Sequence, residues 1–212
     1  MLRVYGDRFS GNCYKVQLIL DLVGLPYEWV AVDIMRGESR TPDFLALSPV
    51  GRIPIVVLDG GEVLSESNAI LLYFADGSPY LPGDRLQRAR IHQWLFFEQY
   101  NHEPNIATLR FWTCLAGFDA QRRAMEPAKR RAGIEALGVM EVRLAERPFL
   151  AADRFTVADI ALYAYTHVAD EGGFDLAPYP AIRDWIERIE AQPGFTPMVY
   201  GRDRLPAPTA PA

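Results

Sequence analysis

The sequence predicts an α+β domain at its N-terminal end, followed by an all-α helical domain. Strand and helix patterns alternate through residues 1–76, Gly and Pro cluster at residues 77–84, and strand patterns largely vanish beyond them. We therefore expect a first domain over residues 1–76, a linker over 77–84 and a helical domain over 85–201. Residues 202–212 are rich in Pro and Ala and are expected to form a flexible tail.

The first domain is predicted to be a small mixed sheet with helices packed on it. Short apolar runs predict four strands, at residues 2–5, 27–32, 53–58 and 62–64. Three helical patterns follow predicted N-caps at Ser10, Thr41 and Ser65. The first two strands should be parallel, because a helix connects them. The last two should be antiparallel, because the turn Asp59-Gly60-Gly61 is too short for a crossover.

The second domain is predicted to contain four helical stretches. The first runs from residue 85 to about 115, and Pro104 predicts a kink or break near His102 and Glu103. The second covers residues 126–145. The third begins at Thr156, where the spacing to Asp159 is typical of a capping box, and the fourth covers residues 179–191.

Composition and charge exclude several classes of function. The 212 residues include 22 Lys and Arg against 27 Asp and Glu, a net charge of −5, which argues against a general nucleic-acid-binding protein. No uncharged apolar run is long enough to span a membrane, and the first residues lack the apolar stretch of a secretory signal. Two separated Cys and three His give neither a disulfide framework nor a metal-site spacing. We expect a reducing, cytoplasmic location.

Ser10 and Asn12 are the first candidates for chemistry, because they lie where the first strand meets the first helix. A helix N-terminus offers unpaired amide donors and a partial positive charge, which stabilise an anion such as a thiolate. Ser10 could equally be only an N-cap. Cys13 lies one turn into the helix and is more typical of a packed apolar residue than of a nucleophile.

The other candidates suit the remaining parts of one ligand. The Ile53-Pro54 bond lies at the start of a strand, where proline suits either an edge strand or a cis peptide bond. A cis bond would leave the backbone N–H and C=O of Ile53 free to pair with an extended peptide ligand. Glu66 supplies a buried or partly buried anion for an ammonium group, and Ser67 could hold a carboxylate. A second carboxylate could be bound by one of three arginines, Arg36, Arg40 or Arg52. A thiol, a peptide backbone, an amino-acid end and a second carboxylate occur together in glutathione.

Four motifs together resemble the cytosolic glutathione S-transferase family, over nearly the whole chain to about residue 201. They are Ser10-Gly11-Asn12-Cys13, Arg52-Ile53-Pro54, Ser65-Glu66-Ser67-Asn68-Ala69-Ile70 and Phe155-Thr156-Val157-Ala158-Asp159-Ile160-Ala161. The pattern is similar to bacterial, serine-type members with theta-, nu- and beta-like features. The resemblance implies a thioredoxin-like N-terminal domain, an all-helical C-terminal domain and glutathione as co-substrate, without a metal.

The resemblance also implies roles for individual residues. Ser10 stands at the position of the activating hydroxyl, with Asn12 as a second donor. Ile53 matches the backbone clamp before a cis proline, Pro54, and Glu66 and Ser67 match the residues that hold the γ-glutamyl end. Arg52, or alternatively Arg40, is placed for the glycine carboxylate. Thr156 and Asp159 match a folding motif rather than catalytic residues.

The implied activity is transfer of glutathione to a small electrophile, with peroxidase or disulfide reductase activity as further options. Candidates for the second-substrate pocket are Phe9, Tyr100, Glu103, Asn105, Phe111 and Trp112, although aromatic residues at helical spacing usually belong to a core. The family implies a homodimer. A non-catalytic glutathione-binding or interaction module is the alternative. A dithiol oxidoreductase is disfavoured, because Ser10 replaces the first cysteine that dithiol exchange requires.

Overall fold

The structure, a computed structural model, describes residues 1–199 and contains two compact units. The first comprises Met1–Asp84 with the segment Gln192–Val199, and the second begins at Arg85 and extends to Ala191. The chain therefore passes from one unit to the other at the end of the predicted linker. The predicted tail at residues 202–212 lies outside the described residues.

The first unit contains a four-stranded mixed sheet. Its strands are β1 (Arg3–Gly6), β2 (Glu28–Ala31), β3 (Ile55–Val57) and β4 (Val63–Ser65), in the order β2-β1-β3-β4. β1 and β2 are parallel and β3 and β4 are antiparallel, as predicted. β3 also pairs antiparallel with β1, which was not predicted. Its helices are α1 (Gly11–Leu22), α2 (Pro42–Leu47) and α3 (Ser67–Ala75). Two short 3₁₀ turns between β2 and α2, at Ile34–Arg36 and Glu38–Arg40, were not predicted.

The first strand and the first helix approach each other closely. A Cβ atom on Gly6 would lie 2.9 Å from Sγ of Cys13, which is fully buried, so this contact requires glycine in β1. Ser10 caps α1, since its Oγ accepts a hydrogen bond from the Cys13 amide at 3.3 Å. The helix ends before Gly24, whose φ of +67° is the left-handed conformation expected after a helix C-terminus. The start and the end predicted for α1 are confirmed.

The start of α3 differs from the prediction. Ser65 was expected to cap this helix, but it is the last residue of β4, where it pairs with Ile55. The N-cap is Glu66, which has φ of +66° and makes no side-chain capping bond. Because strand pairing holds Ser65 in an extended conformation, the chain can turn into the helix only at the following residue.

The second unit is entirely helical. Its helices are α4 (Arg85–Phe97), α5 (Glu103–Phe111), α6 (Ala120–Glu146), α7 (Val157–Thr166) and α8 (Pro180–Glu190). A π-helical segment, Glu98–His102, separates α4 from α5 at the predicted break, because Pro104 has no N–H for the preceding turn. No helix within residues 1–199 is both long and apolar enough to cross a membrane.

The sixth helix begins earlier than predicted. Its pattern suggested a start at residue 126, whereas α6 begins at Ala120 and includes Pro127. Asp119 caps it by accepting a hydrogen bond from the Arg122 amide at 2.8 Å. Pro127 is the eighth residue of α6, so it lies inside the helix, where it has no N–H to donate to the Arg123 carbonyl.

The predicted capping box is confirmed at the start of α7. Asp159 accepts hydrogen bonds from the Thr156 amide and hydroxyl, each at 2.9 Å. It also accepts from the Leu150 amide at 2.9 Å and from Nε1 of Trp185 at 3.0 Å. One buried carboxylate therefore ties the start of α7 to the preceding loop and to α8.

Candidate functional site

Three of the predicted motifs meet at one end of the sheet. In the antiparallel register, Tyr5 of β1 lies opposite Ile55, and Ile55 lies opposite Ser65. The chain therefore leaves β1 toward Ser10, enters β3 from Pro54 and leaves β4 toward Glu66, all at the same end. Residues far apart in the sequence are collected there by strand pairing.

A hydrogen bond connects the starts of α1 and α3. The Ser67 hydroxyl donates to Oδ1 of Asn12 at 3.3 Å, and Ser10 caps the helix that carries Asn12. The N-terminal amides of both helices carry partial positive charge, so this region stabilises an anion. Ser10 and Asn12 are partly exposed, which leaves them within reach of a ligand.

Cys13 does not compete with a ligand thiol at this site. Burial raises the pKa of the Cys13 thiol to about 12, although the hydrogen bond from Ser10 lowers it in part. Cys13 is therefore a neutral thiol near pH 7 and only a weak hydrogen-bond acceptor. The Ser10 hydroxyl hydrogen remains available to a better acceptor, such as a thiolate.

The Ile53–Pro54 peptide bond is cis, one of the two forms that the sequence left open. Pro54 is buried and Ile53 is partly exposed, immediately before β3. The Ile53 backbone therefore lies at the end of the sheet where Ser10 and Glu66 also lie.

Glu66 is more exposed than the sequence suggested. It was expected to be buried or partly buried, but its side chain is exposed at the turn between β4 and α3. Its φ of +66° lies in the left-handed region, where a residue with a side chain is strained. Such strain is concentrated at functional sites, where the surrounding structure maintains it.

The arginines near this end of the sheet differ in their contacts. Nη1 of Arg40 donates to the Val50 carbonyl at 3.0 Å, beside Gly51 with its φ of +64°. Arg40 therefore stabilises the loop that leads to Arg52, whose side chain is exposed. Nε of Arg36 lies 3.5 Å from Oδ2 of Asp33 in an exposed ion pair.

Comparison with known proteins identifies the family. The family model "Glutathione S-transferase, N-terminal domain" matches residues 9–76, and "Glutathione S-transferase, C-terminal domain" matches residues 91–193. Glutathione S-transferase 3 of Zea mays is 35% identical over 223 residues, covering 100% of this chain and 99% of that protein. The chain belongs to the glutathione S-transferase family.

Solved structures of related proteins agree with this membership and with the thioredoxin-like first domain. The crystal structure of a glutathione S-transferase from Pseudomonas fluorescens Pf-5 is 51% identical, with a TM-score of 0.91, covering 94% of this chain and 99% of that one. A structure of Ure2p in complex with glutathione is 25% identical, with a TM-score of 0.81, covering 91% of this chain and 90% of that one.

The candidate second-substrate residues of this family member have different environments. Phe9, in the first unit, is buried. In the second unit, Tyr100 is 84% exposed on the π-helical segment, whereas Trp112 is buried with its ring 6.0 Å from that of Phe118. The remaining three candidates have partly exposed side chains: Glu103, Asn105 and Phe111. Tyr100 therefore lies at the surface, whereas Trp112 is packed against its neighbours.

Lys15 is a further residue of this region that was not predicted. This residue lies in the apolar pattern of α1, and none of its side chain is exposed. Its Nζ donates to Oγ of Ser67 at 3.4 Å and to Oδ1 of Asn68 at 3.3 Å. The signal available in the sequence was a basic residue flanked by Tyr14 and Val16 in the apolar pattern of α1.

The described residues offer no metal centre. Within residues 1–199, no group of three or more His, Cys, Asp or Glu side chains could hold a metal ion.

Proposed function

We propose that this protein is a glutathione transferase that stabilises the glutathione thiolate for attack on a small electrophile. The observation that carries the proposal is the hydrogen-bonded meeting of α1 and α3, which places Asn12 beside Ser67 next to the Ser10 cap. Family membership and the glutathione held by Ure2p support the choice of ligand.

Each part of glutathione has a partner in this proposal. The backbone N–H and C=O of Ile53, before Pro54, pair with the cysteinyl residue. Glu66 accepts from the γ-glutamyl ammonium, and Ser67 donates to the adjacent carboxylate. Arg52 binds the glycine carboxylate, because Arg40 already donates to the Val50 carbonyl and supports the loop.

The thiol is activated without a general base. A free thiol has a pKa of about 8.5, and lowering it by about two units requires roughly 2.7 kcal/mol. A hydrogen bond to a charged group contributes roughly 1.5–3 kcal/mol, and a helix N-terminus adds roughly 0.3–1 kcal/mol. A hydrogen bond from Ser10, with Asn12 as a second donor, therefore supplies enough stabilisation.

The second substrate is an electrophilic carbon, a peroxide oxygen or a disulfide sulfur, each of which a thiolate attacks. We also propose that the protein functions as a homodimer in the reducing cytoplasm. Both cysteines are buried free thiols, which fits a reducing compartment. A non-catalytic binding module is the alternative, and the presence of Ser10, Glu66 and Ser67 favours the enzyme.

A panel of glutathione-dependent assays tests the proposal. We expect turnover with at least one of an aryl halide, an organic hydroperoxide and a mixed disulfide. S10A should raise the pKa in the pH profile of kcat/KM and lower the rate at neutral pH roughly tenfold to a hundredfold, since one hydrogen bond to the thiolate is lost. The measurements are steady-state rates against pH and the ultraviolet absorbance of the bound thiolate.

S78A is the matched control for S10A. It removes a serine hydroxyl that donates to the Ala75 carbonyl at 2.7 Å, at the far end of α3. Rates and pH profile should match the wild type in S78A. An unchanged profile in S10A would remove Ser10 from the mechanism, and N12A would then be measured in the same way. Glutathione binding without any turnover would favour the binding module.

A further inference from the structure

Lys15 is a charged side chain buried beneath the proposed glutathione site. It lies on α1 one turn after Asn12, with no exposed surface, and its positive charge lowers the pKa of the neighbouring Cys13 to a small extent. Burying an ammonium group away from water is unfavourable unless it is hydrogen-bonded and compensated. A lysine in this position therefore indicates a specific interaction rather than packing alone.

The contacts of Lys15 lead directly to Ser67. Nζ of Lys15 donates to the Ser67 hydroxyl oxygen at 3.4 Å, and this hydroxyl in turn donates to Oδ1 of Asn12 at 3.3 Å. A serine hydroxyl has one hydrogen and two acceptor sites. Because Lys15 occupies an acceptor site, the hydroxyl hydrogen is directed to Asn12 at the start of α1, whose side chain is partly exposed.

The bond between Ser67 and Asn12 is easily exchanged for another. At 3.3 Å it is longer than the roughly 2.7–2.8 Å at which O–H···O bonds are most common. A carboxylate near Ser67 is a stronger acceptor than the Asn12 amide oxygen, so the hydroxyl can turn its hydrogen to it. The Lys15 ammonium beneath the same oxygen then provides positive charge opposite the bound carboxylate.

We propose that Lys15 is a positioning residue for the γ-glutamyl end of glutathione: it orients the Ser67 hydroxyl and supplies positive charge for the α-carboxylate. This inference rests on the proposed function. The alternative is that Lys15 only joins α1 to α3 through Ser67 and Asn68, in which case its loss would affect every ligand equally.

Two ligands that differ in one carboxylate separate these possibilities. Glutathione is compared with 4-aminobutyryl-cysteinylglycine, which keeps the amine, the thiol and the glycine carboxylate but lacks the α-carboxylate. Dissociation constants are measured by calorimetry on the full chain. K15M, of similar length and without charge, should weaken glutathione binding roughly tenfold to a hundredfold and leave the affinity for the analogue nearly unchanged.

E66Q is the control, because Glu66 is proposed to bind the ammonium that both ligands carry. It should weaken both ligands and keep their affinity ratio at the wild-type value. The double variant K15M/S67A should lose less than the sum of the single losses, because both residues act on the same carboxylate. K15Q provides a second uncharged variant if K15M does not give a native melting transition.

Each outcome has a distinct meaning. If K15M or K15Q weakens both ligands equally, so that the ratio of their affinities stays at the wild-type value, the role of Lys15 is overturned. The proposed function would remain intact. Failure of the wild-type protein to bind glutathione would overturn the proposed function and this inference together.

Discussion

Ser10 and Cys13 show how burial determines the pKa of a thiol at the start of α1. The two side chains lie one helical turn apart and interact, yet burial raises the pKa of Cys13 to about 12. The helix N-terminus and the Ser10 hydroxyl cannot offset complete removal from water. A ligand thiol bound beside Ser10, as proposed above, would avoid that desolvation, so the same donors would be sufficient for it.

His167 makes the stability of the second unit depend on pH. Burial lowers the pKa of His167 to about 4, and its ring stacks on Tyr163 at 4.3 Å between centroids. The unfolded chain therefore binds more protons than the native state between about pH 6.5 and 4, so stability falls as the pH falls through this window. At pH 4 the loss from this residue amounts to about 3 kcal/mol relative to pH 7.

H167F tests this prediction, because phenylalanine preserves the stacking and does not titrate. Relative to the wild type, H167F should become more stable as the pH falls from 7 to 4. Urea titration at each pH measures the unfolding free energy of both proteins. Parallel curves for the two proteins over this range would contradict the prediction.

At the scale of a single element, α7 depends on its capping box. Thr156 and Asp159 are fully buried, and their mutual hydrogen bonds satisfy polar groups that water cannot reach. T156A would leave one acceptor position of Asp159 empty and remove a helix cap. We expect a loss of roughly 1–3 kcal/mol in the free energy of unfolding.

T156S is the matched variant for this measurement. It keeps the hydroxyl and the bond to Asp159, so urea unfolding should show most of the wild-type stability. Equal destabilisation by T156A and T156S would attribute the effect to the lost methyl group rather than to the hydrogen bond.

At the scale of the whole molecule, we expect two chains to associate. The large apolar side chains Phe96 and Tyr100 are 74% and 84% exposed about one turn apart. Contiguous exposed apolar surface is typical of a protein interface. Light scattering at micromolar concentration should give twice the 23.9 kDa of one chain. A mass of 23.9 kDa would contradict this expectation.

Several features followed from residues close together in the chain. Ser10 as a helix cap, the end of α1 at Gly24, the Thr41-Pro42 start of α2 and the capping box of α7 were all predicted and confirmed. Each depends on hydrogen bonds or dihedral preferences within about one turn of backbone, so a short stretch of sequence suffices.

Other features depended on segments distant in the chain. Pairing of Ser65 with Ile55 moved the start of α3 to Glu66, and the exposure of Glu66 followed from that turn. Lys15 lies in the apolar pattern of α1, but its hydrogen bonds to Ser67 and Asn68 depend on the packing of α3 against α1. Local patterns of residues therefore set where helices begin and end, whereas strand register and burial, which require contacts between remote parts of the chain, brought the proposed glutathione-binding residues together and placed a charge beneath them.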